Sequence, residues 1–212
     1  MAQIASYCLT EPGSGSDAAA LACRAVSTDG GYSVTGSKAW ITHGGIADVY
    51  NVFARTGEGS KGVSCFFVAR DTEGLSFGKP EDKMGLHAVP TTGATYDDAF
   101  VEEGRRLGAE GQGLQIAFSA LDSGRLGIAA VATGLAQAAL DAAVDYAQER
   151  AAFGRKIIDH QGLSFVLADM VAAVDSARAT YLDAARRRDA GHPRLLPTVG
   201  AQAPAVPRPQ PL

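Results

Sequence analysis

Residues Tyr7–Asp17 read YCLTEPGSGSD, a short apolar segment that runs into a loop of proline, glycine, serine and aspartate. Tyr7 and Leu9 alternate with smaller or polar residues, which is typical of a strand with one buried face. Pro12 should end the regular pairing, and the two glycines after it should allow a positive φ and a close approach to a ligand. The stretch therefore predicts a strand followed by a ligand-binding turn.

The loop is rich in hydrogen-bond donors. Its backbone amides and the hydroxyls of Thr10, Ser14 and Ser16 predict a cradle for an anion or a polar heterocycle. A glycine–serine turn capped by Asp17 explains the same residues without a ligand. The loop alone leaves both interpretations open.

A second stretch, Gly36–Thr42, reads GSKAWIT and contains the only tryptophan of the chain. Trp40 lies among small and hydroxyl-bearing residues, where an indole can stack on a planar ring while Thr42 hydrogen-bonds to the edge of that ring. Packing of Trp40 in the core is the alternative. Taken together, the two stretches favour a site for a planar polar molecule.

Composition limits the class of protein. With 212 residues, of which 46% are hydrophobic, one or two domains and a sizeable core are expected. The net charge of −4, without a basic face, argues against nucleic-acid or anionic-membrane partners. Cys8, Cys23 and Cys65 are widely spaced and odd in number, which predicts a reducing compartment and neither disulfides nor a metal site.

Nothing in the sequence predicts a membrane segment. The longest apolar tract, residues 126–140, is shorter than the roughly 20 residues that a bilayer requires. The first residues lack the basic and apolar regions of a signal peptide. We therefore expect a soluble, cytoplasmic protein.

The first half of the chain is predicted to consist of strands. Apolar or alternating runs separated by glycine-rich turns predict further strands at residues 21–26, 32–35, 39–42, 49–54, 63–69, 75–77 and 94–100. Asp29-Gly30-Gly31 offers the positive-φ residues of a tight hairpin. Many short strands with frequent glycine predict a small β-barrel or sandwich over residues 1–104.

The second half changes to a helical period. Apolar residues recur at helical spacing over residues 114–150 and again over residues 163–185, and Gly191 is a plausible helix stop. The predicted fold class is therefore α+β, with the β-domain followed by antiparallel helices of an incomplete bundle over residues 105–190. Residues 191–212 hold most of the prolines and are predicted to form a disordered tail.

Three glycines lie inside the first predicted helix: Gly124, Gly127 and Gly134. Each costs about 1 kcal/mol relative to alanine in a helix interior. Close packing or ligand contact would explain them, whereas a fortuitous kink would require neither.

Four motifs carry a resemblance to a known family. YCLTEPGSGSD followed by KAWIT (residues 38–42) resembles the flavin-binding middle domain of the acyl-CoA dehydrogenases. LDSGRLGIA (residues 121–129) resembles the start of the first long C-terminal helix of that family, and ERAAFG (residues 149–154) with Gln161 resembles its Glu-Arg-x-x-Phe-Gly…Gln pattern. The resemblance spans about residues 3–190 and is strongest to short-chain, butyryl-type members.

This resemblance implies an FAD-dependent oxidoreductase of fatty-acid β-oxidation, which dehydrogenates an acyl-CoA thioester and passes hydride to flavin N5. The residues implied to line the flavin are Tyr7, Leu9, Thr10, Trp40, Ile41 and Thr42. Those implied to reach the FAD of a neighbouring subunit are Arg150, Phe153 and Gln161. Those implied to contact acyl-CoA are Ser16, Asp122, Ser123, Gly124 and Arg125.

The resemblance further implies a homotetramer and an electron-transfer flavoprotein as the electron acceptor. Arg150 suits a phosphate because its guanidinium can form paired hydrogen bonds. A helix-end cation that satisfies carbonyls is the alternative for the same residue.

The sequence departs from the family at the catalytic base. The family's Tyr-Glu-Gly-Thr-like segment is not found, and the second position that carries a base in some members is Gly124 here. Glu11 precedes Pro12 and has no such role in the family, so we assign no catalytic residue.

We therefore expect a fragment that lacks the N-terminal helical domain and the glutamate segment. Its exposed apolar faces should cause poor solubility or obligate association. A catalytically silent flavin- or CoA-binding module and an acyl-CoA oxidase stay open as alternatives.

Overall fold

The computed structural model describes residues 3–191. The chain divides into two compact units, with the boundary between Ser119 and Ala120. The first unit contains the large sheet and the second contains most of the helical sequence. Except for Gly191, the tail predicted for residues 191–212 lies outside the described residues.

The first unit contains an eight-stranded mixed sheet. Its strands are β1 (Ala5–Cys8), β2 (Arg24–Thr28), β3 (Gly31–Thr42), β4 (Val49–Arg55), β5 (Val63–Ala69), β6 (Leu75–Phe77), β7 (Thr91–Glu102) and β8 (Arg106–Leu107). The order in the sheet is β6-β7-β3-β2-β4-β5-β8, and β1 pairs with β4 in parallel. Short 3-10 turns lie at Ala18–Ala20, Ser60–Gly62 and Glu103–Arg105.

The sheet wraps around a cluster of buried side chains. Tyr50, Phe66 and Tyr96 are fully buried within this cluster. The ring of Tyr32 on β3 lies 4.9 Å from that of Phe66 on β5, although β2 and β4 separate these strands within the sheet. The sheet must therefore be strongly curved to bring these two rings into contact. The predicted α+β fold class, with a barrel-like β-domain followed by helices, is confirmed.

One strand differs from its prediction. Residues 32–35 and 39–42 belong to the single 12-residue strand β3, and the turn predicted at residues 35–37 lies inside it. Pairing with β7 shifts register after Val34 and again after Lys38. Gly36 has a φ of 148°, and a Cβ added there would lie 2.7 Å from the Cα of Cys23. The glycine therefore allows an irregularity and a close backbone contact inside a strand, rather than a turn.

Two glycine predictions had opposite outcomes. The Asp29–Gly30 hairpin is confirmed, because Thr28 pairs with Gly31 and Gly30 has a φ of 75°. Gly13 and Gly15 do not adopt positive φ, and no described atom lies within 4 Å of a Cβ added at either position. The positive-φ prediction for these two glycines was therefore wrong.

The two helices are confirmed as α1 (Gly113–Glu149) and α2 (Gln161–Asp189). The connection between them holds a two-stranded hairpin of β9 (Ala151–Ala152) and β10 (Arg155–Lys156), followed by a 3-10 turn at Ile157–Asp159. Within the second unit the antiparallel helices pack through Leu140, Ala147, Leu167 and Val174. The predicted stop is also confirmed, since Gly191 has a φ of 71° and its amide bonds to the Arg188 carbonyl.

The outer surface of α1 stays apolar. Ile128, Val131, Leu135 and Tyr146 are exposed, as expected for unpartnered helix faces. Gly124, Gly127 and Gly134 have no described atom within 4 Å of an added Cβ, so no packing contact in the described part of the chain explains them. By length and composition alone α1 is also able to cross a membrane, which is weak evidence because core helices of soluble proteins share this property.

Candidate functional site

The end of β1 and the irregular part of β3 lie side by side in the first unit. The Ser6 hydroxyl donates to the Thr42 carbonyl, and the Ala39 amide donates to the Thr10 carbonyl at 2.9 Å. These bonds join the Tyr7–Asp17 segment and its preceding strand residue Ser6 to the Gly36–Thr42 segment. The structure therefore brings together the residues predicted to line a flavin.

Trp40 is displayed at the surface instead of packing in the core. Its side chain is 63% exposed, whereas the adjacent Ile41 is buried. Trp40 has a φ of 60° and lies inside the register shift between Lys38 and Ile41. A positive φ is uncommon for a bulky residue, and the bulge is the local reason for it here. The alternative that placed Trp40 in the core is wrong.

Two threonine hydroxyls accompany this indole. Thr10 is half-buried and Thr42 is exposed. Neither hydroxyl forms a hydrogen bond with the described residues. An exposed flat ring beside two free hydroxyls is a donor set that suits a planar polar heterocycle.

The serine cradle is smaller than predicted. The Ser14 hydroxyl is buried and donates to the Asp17 carbonyl at 2.6 Å. The backbone of Ser14 also exchanges two hydrogen bonds with Glu11, of 2.9 and 3.1 Å. Ser14 therefore holds the turn together, and its inclusion in the cradle was wrong. Ser16 stays exposed.

The remaining flavin-lining candidates form the floor of this region. Leu9 and Ile41 are 6% and 1% exposed, so a ligand above them would contact mainly their backbone. Tyr7 is half-buried, with its ring 5.0 Å from that of Phe53 and its hydroxyl donating to the Ala117 carbonyl at 3.2 Å.

A buried ion pair lies under the loop. Lys38 Nζ is 2.7 Å from Glu11 Oε1, and the two side chains are 0% and 6% exposed. The carboxylate also accepts the amides of Ala22 at 2.6 Å and Cys23 at 3.0 Å. The Glu11 carboxylate is thus held by one ammonium group and two backbone amides of the first unit.

The thiols of the two cysteines near this pair, Cys8 and Cys23, are poor nucleophiles because burial raises their pKa values. Burial raises the pKa of Cys8 to about 12 and the pKa of Cys23 to about 11, although the positive charge of Lys38 lowers both. Both thiols stay protonated at neutral pH, and all three cysteines of the chain are free and buried.

The candidates for acyl-CoA contact in the second unit share one stretch of α1. Arg125 Nη1 lies 2.8 Å from Asp122 Oδ1 in a surface ion pair. Ser123 is half-buried between them, and Gly124 faces open space. The stretch presents a guanidinium and a carboxylate that are accessible to a ligand, and position 124 supplies no acid.

Arg150, Phe153 and Gln161 border the hairpin between the helices. Phe153 is 97% exposed with a φ of 52°, and Gly154 follows with a φ of 78°. Two consecutive left-handed residues are the requirement of a type I′ turn. The Arg150 side chain forms no hydrogen bond or ion pair within the described part of the chain, so the helix-end alternative is not observed.

The role of Lys38 was missed by sequence reasoning, which treated it only as part of a motif. A signal was available, since Lys38 is the one charged residue in an apolar and small-residue strand. Lysine is almost never fully buried unless it is paired, so a buried Lys38 requires an acidic partner. A surface groove of about 350 Å³ elsewhere in the first unit contains none of the predicted site residues.

Comparison with known proteins identifies the family. The model of the acyl-CoA dehydrogenase middle domain matches residues 6–99, and the model of the acyl-CoA dehydrogenase C-terminal domain matches residues 111–206. The chain belongs to the acyl-CoA dehydrogenase family.

Two relatives of this acyl-CoA dehydrogenase family member illustrate the match. It is 46% identical over 190 residues to an acyl-CoA dehydrogenase of Bacillus subtilis, covering 89% of this chain and 50% of the relative. It is 45% identical over 195 residues to a mitochondrial isobutyryl-CoA dehydrogenase of Dictyostelium discoideum, covering 91% and 47%. The chain thus spans about half the length of the curated relatives it matches.

Solved structures agree with the family assignment. Butyryl-CoA dehydrogenase from Megasphaera elsdenii has a TM-score of 0.88 at 40% identity, over 95% of this chain and 53% of that chain. A chain solved in work on the electron transferring flavoprotein of Acidaminococcus fermentans has a TM-score of 0.87 at 41% identity, over the same shares. The fold of this acyl-CoA dehydrogenase family chain is therefore that of the corresponding half of these proteins.

Proposed function

We propose that this chain carries the flavin site and part of the acyl-CoA site of an FAD-dependent, short-chain acyl-CoA dehydrogenase. The observation that carries the proposal is the displayed Trp40 ring beside the free hydroxyls of Thr10 and Thr42. The relatives support a short chain, because a butyryl and an isobutyryl group each contain four carbons.

The described residues fit FAD in three ways. Trp40 can lie against the isoalloxazine, and Thr10 and Thr42 can hydrogen-bond to its polar edge. Arg150, with Phe153 and Gln161 beside it, offers an unpaired guanidinium for the pyrophosphate end of an FAD in a neighbouring subunit of a homotetramer. When bound, FAD supplies the acceptor for the hydride that leaves the β-carbon.

The proposed substrate contacts have a separate chemical basis. Arg125 is accessible and paired only at the surface with Asp122, so it can exchange that partner for a phosphate of coenzyme A. Ser16 adds an exposed hydroxyl near the flavin loop.

Proton abstraction needs a carboxylate that these residues do not supply. Glu11 is held by Lys38 and two amides, and position 124 is glycine. We therefore propose that a group outside residues 3–191 removes the α-proton, and that the 212-residue chain alone binds FAD without turnover. An electron-transfer flavoprotein as acceptor and a cytoplasmic location belong to the same proposal.

The test uses the single tryptophan as a reporter. Adding FAD to the 212-residue chain should quench Trp40 emission. Thr10→Val and Thr42→Val should each weaken FAD binding about 5–10-fold, because one hydrogen bond contributes about 1 kcal/mol. Thr28→Val, an exposed strand threonine away from the site, is the matched control and should have no effect.

Absence of quenching with the parent chain would contradict the flavin assignment. Equal affinities for Thr42→Val and Thr28→Val would contradict the proposed edge contacts. A chimera that adds the part of the Bacillus subtilis relative outside the matched half then tests dehydrogenation. Bleaching of its flavin by butyryl-CoA is expected, whereas a stable yellow colour would favour the catalytically silent alternative.

A further inference from the structure

The Glu11–Lys38 pair connects three separate segments of the first unit. Lys38 lies on β3, Glu11 lies in the loop after β1, and the amides of Ala22 and Cys23 precede β2. In the other ion pairs of residues 3–191 the side chains are 23–68% exposed. This pair therefore differs from them in both burial and connectivity.

Stability alone is a weak explanation for such a pair. Removing two charges from water costs several kcal/mol per ion, and well-packed apolar residues of similar volume are often equally or more stabilising. What the pair adds is a fixed geometry, because each charged group is held by more than one directional hydrogen bond.

The geometry that it fixes is that of the proposed flavin edge. Lys38 Nζ holds the Leu9 carbonyl at 3.1 Å, and the amide of the next residue, Ala39, holds the Thr10 carbonyl at 2.9 Å. Two consecutive carbonyls of the loop are thereby joined to two consecutive residues of β3. Thr10 and Trp40 are placed relative to one another by these bonds.

The opposite edge of β3 does not provide this support. Lys38 pairs with Ala94 and Ile41 pairs with Thr92 on β7, but Ala39 and Trp40 fall in the register shift between them. The bulge that gives Trp40 its positive φ is therefore held chiefly from the side of the loop.

We propose that Glu11 and Lys38 are positioning residues, which hold the Ala39–Trp40 bulge and Thr10 in a preformed arrangement for the flavin ring. They contact no ligand themselves and act through Thr10 and Trp40. The identity of the ring rests on the proposed function, whereas the effect on the bulge does not.

The experiment separates positioning from stability with four variants of the 212-residue chain. Lys38→Met alone leaves a buried, unpaired carboxylate and should lower the melting temperature. The double variant Glu11→Gln/Lys38→Met removes both charges and should recover most of that loss. Asp183→Asn/Arg187→Met removes a surface pair and is the matched control.

The readouts are amide hydrogen exchange at Ala39, acrylamide quenching of Trp40 and FAD affinity. In the double variant we expect exchange at Ala39 to accelerate at least tenfold, Trp40 quenching to change, and FAD affinity to fall about tenfold, despite the recovered melting temperature. Lys38→Arg/Glu11→Asp, which keeps a charged pair of similar total length, should restore part of the protection at Ala39.

Parental exchange and parental Trp40 quenching in the refolded double variant would overturn the proposal, since the pair would then be structural only. Should the parent chain itself fail to bind FAD, the proposed function fails. The exchange and quenching results without FAD still decide the positioning role in that case.

Discussion

Replacing Gly36 with alanine should remove a large part of the stability of the first unit. The backbone there has a φ of 148°, where an L-residue costs about 1–3 kcal/mol. The new Cβ would lie 2.7 Å from Cys23 Cα, 2.9 Å from its Cβ and 3.0 Å from its Sγ. Overpacking of this kind costs about 1–3 kcal/mol more. The sum, about 2–6 kcal/mol, is a large share of the roughly 5–15 kcal/mol that stabilises a typical domain.

Urea unfolding followed by circular dichroism measures this loss. Gly15→Ala is the matched control, because Gly15 lacks a positive φ and faces open space. We expect the control to stay within about 0.5 kcal/mol of the parent, as surface substitutions do.

If Gly36→Ala and Gly15→Ala unfold within about 1 kcal/mol of each other, which is less than the strain expected from backbone and contact together, β3 does not approach Cys23 as described. The register shift after Val34 would then be wrong as well.

Three further predictions concern single groups. Burial raises the pKa of Cys8 and Cys65 to about 12 from an ordinary value of 9.0, so these thiols lose their protons at lower pH in the unfolded chain than in the folded one. The free energy of unfolding should therefore fall as the pH rises above about 9, which urea unfolding at several pH values measures. In a Cys65→Val variant the free energy of unfolding should depend less steeply on pH. Arg125→Ala should change the melting temperature little, since its exposed ion pair contributes at most about 1 kcal/mol, but should weaken butyryl-CoA binding to the FAD-loaded chain in calorimetry. Phe153→Asn should keep the stability of the second unit or raise it by up to about 1 kcal/mol, because asparagine tolerates the left-handed backbone better than phenylalanine does. The same substitution should weaken FAD binding. A loss of stability would contradict this prediction, because it would show that the Phe153 ring makes stabilising packing contacts.

Local periodicity predicted most of the elements. Local apolar spacing was sufficient to predict the strands Val63–Ala69 and Leu75–Phe77 and the helix α2. None of these predictions required knowledge of distant segments. The division of β3 into two strands failed for a physical reason. A glycine between apolar runs favours a turn and a strand irregularity equally, and only the position of Cys23 on another segment decides between them.

The candidate site was predicted in part. The motif residues Thr10, Trp40 and Thr42 do lie together, but the glycine and serine roles in the loop were misjudged. The sequence shows that the loop contains hydrogen-bond donors, but it does not show which of them form hydrogen bonds within the loop itself. The composition of β3 indicated that Lys38 needs a buried partner, but it did not identify Glu11, which lies 27 positions away along the chain.

The loop illustrates a general order of priority among polar groups. Buried backbone and hydroxyl groups must first find partners within the chain, since an unpaired buried group costs about 1–3 kcal/mol. Ser14 and Glu11 meet that demand by bonding to one another and to Asp17 and Lys38. The hydroxyls of Thr10 and Thr42, which have no partner among residues 3–191, are therefore available to a ligand. A donor-rich loop can therefore bind a ligand only through the groups that its own fold leaves without partners. At this site the buried Glu11–Lys38 pair holds the loop on β3, and the exposed indole of Trp40 with the two free hydroxyls is the set of groups that we propose to contact the flavin.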